Sequence, residues 1–209
     1  MFDPADRTQF LNLAAMFEGG MVGVAIVAGW LLGVNPLALL IWDFGAIAWG
    51  VVATLPLFGL FLLSIRYPIP PLERIQKLLV EFLGPSLEAC RPLDLIFLAV
   101  LAGVGEELLF RGVLQPLFER FGPAAGLIGS NIVFGLAHAI TPTYALLAGA
   151  IGLYLGVLLD ASGSRNLMAP IVTHALYDYL AFLVVLRLYR DQQRQDGDSV
   201  EPDDRSADP

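Results

Sequence analysis

The chain has 209 residues, of which 56% are hydrophobic and 15% charged, and its mean hydropathy is +0.69. This composition excludes an ordinary soluble domain, which carries about 25% charged residues. The formal charge is −8, but much of the excess acid lies in the tail, residues 191–209. A single cysteine, Cys90, excludes an internal disulfide framework and a cysteine-based structural zinc site. Most of the chain must therefore lie in lipid.

Apolar stretches long enough to cross a bilayer occur six times, since a hydrocarbon core of about 30 Å takes about 20 helical residues. They are residues 10–34, 44–65, 93–118, 122–140, 143–160 and 166–186. Prolines and small polar residues lie between them, where turns belong. The N-terminus lacks the basic region of a signal peptide, so the first stretch is interpreted as a retained helix. The pattern predicts an all-α, polytopic membrane helix bundle of about six transmembrane helices over residues 1–190.

Three further segments have recognisable patterns. Residues 71–83 place apolar side chains at helical spacing opposite charged ones, which predicts an interfacial amphipathic helix, or alternatively a charged loop folded against the bundle. Ala148, Gly152 and Gly156 recur every four residues, a pattern typical of closely packed membrane helices. Residues 191–209 are too polar to bury a core and are predicted to be a disordered acidic tail.

The distribution of Lys and Arg outside the spans predicts the orientation of the chain. If the N-terminus is cytoplasmic, nine of these residues lie on the cytoplasmic side and two on the opposite side. The nine are Arg7, Arg66, Arg74, Lys77, Arg91, Arg187, Arg190, Arg194 and Arg205, and the two are Arg120 and Arg165. We therefore expect an integral membrane protein of the bacterial inner membrane with both termini in the cytoplasm.

The third stretch contains Glu106, Glu107 and Arg111. An ionisable side chain at the centre of a bilayer costs about 2.5 to 3.5 kcal/mol, so each one requires a partner or a function. Glu107 and Arg111 are four residues apart, which favours an ion pair, whereas Glu106 points about 100° away and lacks that partner. Glu106 is therefore a candidate base. The alternative is that the three charges only hold the bundle together.

The only two histidines also lie inside apolar stretches. His138 follows Asn131 and Phe134 along one helical stripe, and His174 lies one turn before Asp178. Asp178 can fix the orientation and tautomer of the His174 imidazole. A lone histidine in a membrane helix is equally explained as a packing residue. Together with Glu106, however, these groups can activate water and stabilise an oxyanion.

The three motifs, each in its own apolar stretch and in this order, resemble the signature motifs of the CPBP family of intramembrane peptidases. This family comprises CAAX prenyl proteases and bacteriocin-processing enzymes of the Abi type. The resemblance covers about residues 93–186, and Phe17-Glu18-Gly19-Gly20 is similar to bacterial members. It implies an endopeptidase in which Glu106 and His138 activate the attacking water. Glu107 and Arg111 would support the site, and His174 with Asp178 would bind the oxyanion.

The resemblance also implies the partners: membrane lipid and a peptide or protein substrate, with prenylated C-terminal tails as one class, and no nucleic acid. Prenyl-protein proteases are similar but have Asn where this chain has Asp178. An ionised Asp cannot donate to an oxyanion, so Asp178 would have to be protonated or orient His174. Bacterial relatives accept either residue.

The sequence does not decide whether the protein needs a metal ion. The family is often described as metalloproteases, and Glu106, His138 and His174 are the candidate ligands of a Zn²⁺ ion. No HExxH motif is present, and a Glu–His pair can activate water without a metal.

Two other functions are compatible with the composition: a catalytically silent membrane scaffold or immunity factor, and a proton-coupled transporter. Retention of Glu106 and His138 argues against the first, and the absence of visible internal repeats argues against the second.

Helix arithmetic predicts where the motifs meet. If the chain reverses near Gly122, Glu106 lies 16 residues before the turn and His138 lies 16 residues after it. Antiparallel helices would then place both side chains at the same depth. With the orientation above, the three motifs converge in the cytoplasmic half of the membrane.

Overall fold

A computed structural model describes Asp3 and residues 5–200, with side chains up to Asp196. The described residues form helices and connecting loops, with no strand among them. The helices are α1 (Arg7–Leu32), α2 (Phe44–Arg66), α3 (Pro70–Ala89), α4 (Pro92–Leu109), a π-helical turn (Phe110–Leu114), α5 (Gln115–Glu119), α6 (Pro123–Ala137), α7 (Pro142–Leu158) and α8 (Met168–Val200). The predicted all-α class is confirmed.

Among the described residues, three helices are long and apolar enough to cross a membrane by length and composition: α1, α2 and the Met168–Asp196 part of α8. The apolar helices α6 and α7 have 15 and 17 residues. At about 1.5 Å per residue they reach only about 22 and 26 Å, less than the hydrocarbon core of about 30 Å. The predicted count of six spans is therefore met only in part. Polar turns at both ends of α6 and α7 make these helices shorter than the apolar stretches from which they were predicted.

Helix ends follow the local sequence. The carboxylates of Asp6 and Asp43 accept hydrogen bonds from the first backbone amides of α1 and α2, and the hydroxyl of Thr141 does the same for α7. Gly33 ends α1 in the left-handed conformation, with a φ of 65°. These caps give hydrogen-bond partners to backbone groups at the helix ends, where lipid offers none.

Helix α8 lies at the centre of the bundle and packs against α2, α3, α4 and α7. Two glycines allow its close approach, since a Cβ at Gly50 of α2 would lie 2.7 Å from the Ala169 carbonyl oxygen and one at Gly84 of α3 would lie 2.5 Å from the Tyr189 ring. Helix α1 packs against α4, and Arg7 binds Asp94 at 2.6 Å where both helices begin. These contacts make α1 and α4 parallel neighbours.

Helices α4 and α5 form one continuous rod, residues 92–119, interrupted by the π-helical turn. The backbone N–H of Gln115 bonds the Phe110 carbonyl, five residues back. Pro116, the next residue, has no N–H and its ring would crowd the carbonyl four residues earlier. Widening the preceding turn relieves that clash, and such π turns often occur at functional sites. Arg111 lies within this turn.

Helix α3 extends beyond the predicted amphipathic segment 71–83 at both ends. It packs against α8 and buries Ile75 and Val80, whereas Phe82 is 79% exposed. Helix α8 continues through residues 191–200, the first part of the predicted tail. Residues 201–209 of that tail lie outside the described residues.

Candidate active site

Glu106 lies between the two histidines of the chain. Its side chain is 8% exposed, and its Oε2 atom lies 3.7 Å from Nε2 of His138 and 3.9 Å from Nε2 of His174. The three residues come from α4, from the end of α6 and from α8. The predicted equal depth of Glu106 and His138 is confirmed. The helix pair folded back at Gly122 brings the two side chains together.

Glu107 faces the other side of α4 and is fully buried. Its Oε1 atom accepts a hydrogen bond of 2.9 Å from Nη1 of Arg111, so the predicted ion pair is confirmed. The same oxygen lies 2.8 Å from Nδ1 of His174. One carboxylate thus neutralises the buried cation and orients an imidazole.

Arg111 is 0% exposed and is held from three helices. Besides Glu107, its Nη2 atom donates to Oδ1 of Asn131 at 3.0 Å and to the Gly152 carbonyl at 2.6 Å. Its guanidinium also lies 4.8 Å from the centre of the Phe134 ring. A planar guanidinium suits several partners in fixed directions, so Arg111 ties α6 and α7 to the π turn.

His138 has a defined tautomer. Its Nδ1 atom lies 2.9 Å from the Phe134 carbonyl, which can only accept, so Nδ1 carries the proton. The ring also stacks on Phe134 with a centroid distance of 4.4 Å. Nε2 of the ring lies on the side of Glu106, and in the neutral ring it is an acceptor that faces the carboxylate oxygen across this gap.

His174 has a carboxylate on each side of its ring, Glu107 at Nδ1 and the predicted Asp178 at Nε2. Nδ1 of His174 must donate to the Glu107 carboxylate, whereas Oδ2 of Asp178 lies 3.5 Å from Nε2 on the other side of the ring. The i,i+4 spacing brings Asp178 close to the imidazole, but the tertiary contact with α4 takes the orienting position. Nε2 of His174 can therefore donate a hydrogen bond only when the ring is an imidazolium.

The site opens into an apolar cavity of about 180 Å³. His138, His174 and Asp178 form a polar wall, Ser64 and Gln76 add further polar groups, and most of the other lining side chains are apolar. A second cavity of about 340 Å³ adjoins it between α3 and the start of α7. The two share Ile75, Leu79, Leu83 and Tyr144.

Glu106, His138 and His174 are the predicted ligands of a zinc ion. Among the described residues, no three His, Cys, Asp or Glu side chains are arranged as a metal-binding set. The two Nε2 atoms approach the same Glu106 oxygen, but Glu107 and Asp178 face other sides of His174. Zinc bound by Glu106, His138 and His174 therefore stays a prediction.

All six predicted site residues meet in one region, but three contributors were missed. The Gly152 carbonyl binds Arg111, although the sequence indicated only close packing at this residue. Tyr144 lines both cavities, with its ring 6.3 Å from that of His138. Glu18 of α1 lies against the residue before Glu106, since a Cβ at Gly105 would lie 2.6 Å from the Glu18 carbonyl oxygen. A backbone carbonyl carries no sequence signal, whereas a lone glutamate in an apolar helix does.

The fold and the site together define a class: an all-helical integral membrane protein with a buried Glu–His–Arg constellation at the wall of an apolar cavity. Residues 89–180 match the family model described as "Rce1-like: Type II CAAX prenyl endopeptidase Rce1-like". The match covers less than half of the chain and supports assignment of this region to the CPBP family of CAAX proteases, which at the family level are protease-type enzymes. No curated protein and no solved structure matches it.

Proposed function

We propose that the protein is an intramembrane endopeptidase that hydrolyses a peptide bond near the membrane surface with water activated by Glu106 and His138. One observation carries this proposal. A buried carboxylate oxygen with no hydrogen-bond partner among the described residues lies 3.7 Å from an imidazole nitrogen whose lone pair faces it. Two such acceptors suit one water molecule that donates both its hydrogens.

In the first step, the carboxylate of Glu106 accepts a proton from this water. At the same time, the oxygen of the water molecule forms a bond to the carbonyl carbon of the substrate. The carbonyl oxygen becomes an oxyanion. The C–N bond then breaks, the oxyanion collapses to a carboxylic acid, and the proton held by Glu106 passes to the leaving amine. The water molecule supplies the hydroxyl group of the new acid and the proton of the amine, so no further reactant is needed. A base in hydrogen-bond reach of the proton that it removes contributes about 10²- to 10⁴-fold to the rate.

His174 is proposed to stabilise the oxyanion as an imidazolium. Its Nδ1 donates to Glu107, so a proton on Nε2 makes the ring a cation that can donate to developing negative charge. Asp178, 3.5 Å from Nε2, and Glu106, at 3.9 Å, favour that cation. Asp178 would therefore act through His174 and need not donate a hydrogen bond itself.

The substrate is proposed to be a membrane-tethered peptide or protein, with prenylated C-terminal tails as the first class to test. Two adjoining apolar cavities, of about 180 and 340 Å³, support this proposal. A lipid chain can lie against their apolar walls while the peptide bond reaches the polar wall at His138 and His174.

The test is a cleavage assay with protein purified in detergent. A prenylated C-terminal peptide and the same peptide without lipid are compared, with metal analysis of the purified protein alongside. We expect cleavage of the lipidated peptide and its loss in Glu106→Gln. Equal cleavage of both peptides would reject the lipid requirement, and no cleavage of either would favour the scaffold function. Activity that tracks zinc content would assign the metal.

A further inference from the structure

Helix α3 lines both cavities, and the two cavities lie on different faces of this helix. Three apolar residues spaced four apart line both cavities: Ile75, Leu79 and Leu83. Leu72 and Gln76 line only the cavity that contains the histidines, the first cavity, whereas Leu78 and Phe82 line only the second. Successive rows begin three residues apart, a rotation of about 300°, so they lie side by side at intervals of about 60°. The row that ends at Gln76 therefore faces the candidate active site.

Gln76 is the only polar residue of these three rows. Its side chain is half-buried and makes no hydrogen bond among the described residues. Ser64 of α2 also lines the first cavity, but its hydroxyl donates to the Phe61 carbonyl at 2.7 Å. The amide of a glutamine side chain has an acceptor oxygen and a donor NH₂ group. Both groups of Gln76 are therefore available to a ligand that occupies the first cavity.

The chemistry of a peptide matches the free amide of Gln76. His138 and His174 line the same cavity of about 180 Å³, so a peptide whose scissile bond lies at these residues continues along the other walls of the cavity. Each peptide unit brings an N–H donor and a carbonyl acceptor, and burying either without a partner costs free energy. The apolar side chains of Leu72 and Ile75 offer no such partner. The amide of Gln76 can accept from the N–H group or donate to the carbonyl.

Resting on the proposed function, we propose that Gln76 is a substrate-binding residue whose amide hydrogen-bonds the peptide backbone beside the scissile bond. The row formed by Leu78 and Phe82 contacts the lipid chain in the second cavity. Helix α3 thus holds the peptide part of a substrate on one face and its lipid part on another. Because the hydrogen bond is made to the backbone, Gln76 fixes the position of the scissile bond whatever the side chains of the substrate are.

Kinetics of Gln76→Met test this role, because methionine keeps the length of the side chain and lacks the amide. KM for a prenylated peptide should rise by about tenfold, the effect of one lost hydrogen bond, with kcat within about twofold of wild type. Gln76→Leu, which also lacks the amide, is measured in parallel. Gln192→Met, at an exposed position of α8, is the matched control and should behave as wild type. Unchanged KM in both Gln76 variants would overturn the proposal.

Peptides with one backbone amide replaced by an ester identify the bond itself. An ester lacks the N–H donor and its carbonyl is a weaker acceptor. For one of the esters that flank the scissile bond, the KM of wild type should rise by about tenfold and Gln76→Met should add no further rise. If Gln76→Met raises KM equally for the amide peptide and for every ester, Gln76 acts on the shape of the cavity and the proposal is wrong.

Equilibrium binding in lipid nanodiscs gives a readout that needs no cleavage. Gln76→Met should weaken binding of the prenylated peptide by about tenfold and leave binding of S-farnesyl cysteine, which has the lipid without the peptide, unchanged. Leu78→Trp, which narrows the second cavity, should weaken binding of S-farnesyl cysteine. If wild type cleaves no peptide but binding changes in this way, the proposed hydrolysis fails and the Gln76 site stands. Equal affinity of wild type and Gln76→Met for the peptide would overturn the proposal.

Discussion

Glu106 and Glu107 are adjacent in the chain but face different partners. The rotation of about 100° between neighbouring helical residues directs Glu107 to Arg111 and His174, and Glu106 to the open side of both imidazoles. Oε1 of Glu107 accepts from two nitrogen donors, although Oε2 of each glutamate has no hydrogen-bond partner among the described residues. A carboxylate engaged in this way is a poor proton acceptor, and the free one is a suitable base.

Replacement of Glu106 by Gln tests the base directly. The amide keeps the size of the side chain but cannot accept a proton from water, so we expect the rate of peptide cleavage to fall by at least about 100-fold. The melting temperature in detergent should stay close to that of wild type. Glu73→Gln, at a half-buried glutamate of α3 paired with Lys77, is the matched control and should retain activity. Near-normal cleavage by Glu106→Gln would falsify the assignment.

Arg111 is predicted to support the structure of the site. Arg111→Ala leaves Glu107 as a buried charge without its cation and removes the contacts with Asn131 and Gly152, so the protein should lose about 3 to 5 kcal/mol of stability. Denaturation in detergent measures this loss. Arg187→Ala, at a side chain that is 84% exposed, serves as the control and should change stability little. Unchanged melting with lost cleavage would instead place Arg111 in contact with the substrate.

At the scale of elements, the small residues of α7 make room for the buried guanidinium. A Cβ at Gly152 would lie 2.5 Å from Oδ1 of Asn131 and 3.1 Å from Nη2 of Arg111. One turn later, a Cβ at Gly156 would lie 3.0 Å from Oε1 of Gln115. The spacing of four residues therefore serves two purposes: it lets α6 approach α7, and it exposes backbone carbonyls to polar side chains.

Gly152→Ala should consequently destabilise the bundle. The added methyl group must displace Asn131 or Arg111, and overpacking of this kind costs about 1 to 3 kcal/mol. Gly59→Ala in α2 is the matched control, because a Cβ there meets no atom within 4 Å. That substitution should be neutral or slightly stabilising, since Ala favours helix more than Gly does. Comparison of the two melting temperatures in detergent decides the point, and equal values would contradict it.

At the scale of the whole molecule, the charged groups gather at the two ends of the bundle. Arg7 binds Asp94 and Arg190 binds Glu88 at one end, both at 2.6 Å. At the other end, Arg165 binds Glu119, and Arg120 donates to the Leu32 carbonyl at 2.8 Å. Of the described basic residues, only Arg120 and Arg165, the two predicted to face away from the cytoplasm, lie at the second end. Under the positive-inside rule, the first end is proposed to be cytoplasmic.

Cysteine labelling in oriented vesicles tests this orientation. Cys90 is first replaced by Ser, and single cysteines are then introduced as Glu81→Cys in α3 and Ser164→Cys in the loop before α8, both exposed positions. A membrane-impermeant reagent should label position 81 only from the cytoplasmic side and position 164 only from the opposite side. The cysteine-free protein controls for background. The reverse pattern would move the proposed substrate to the other side of the membrane.

The sequence by itself determined the helical class, the membrane location and the residues that form the site. Each of these follows from local information: long apolar stretches, the cost of charge in lipid, and the helical period that pairs Glu107 with Arg111. It also predicted that Glu106 and His138 meet, because antiparallel helices from one turn fix relative depth.

Only the tertiary structure decided which partner each group takes. The imidazole of His174 is bound by Glu107 from α4, although Asp178 is nearer in the sequence, and Arg111 reaches a carbonyl 41 residues away. Helices α6 and α7 are shorter than their apolar stretches because capping and turn geometry end them early. Which partner each side chain meets depends on how whole helices are rotated and how closely they approach. Glycines such as Gly105 and Gly152 permit the close approach, but local sequence patterns do not encode the rotation of one helix against another.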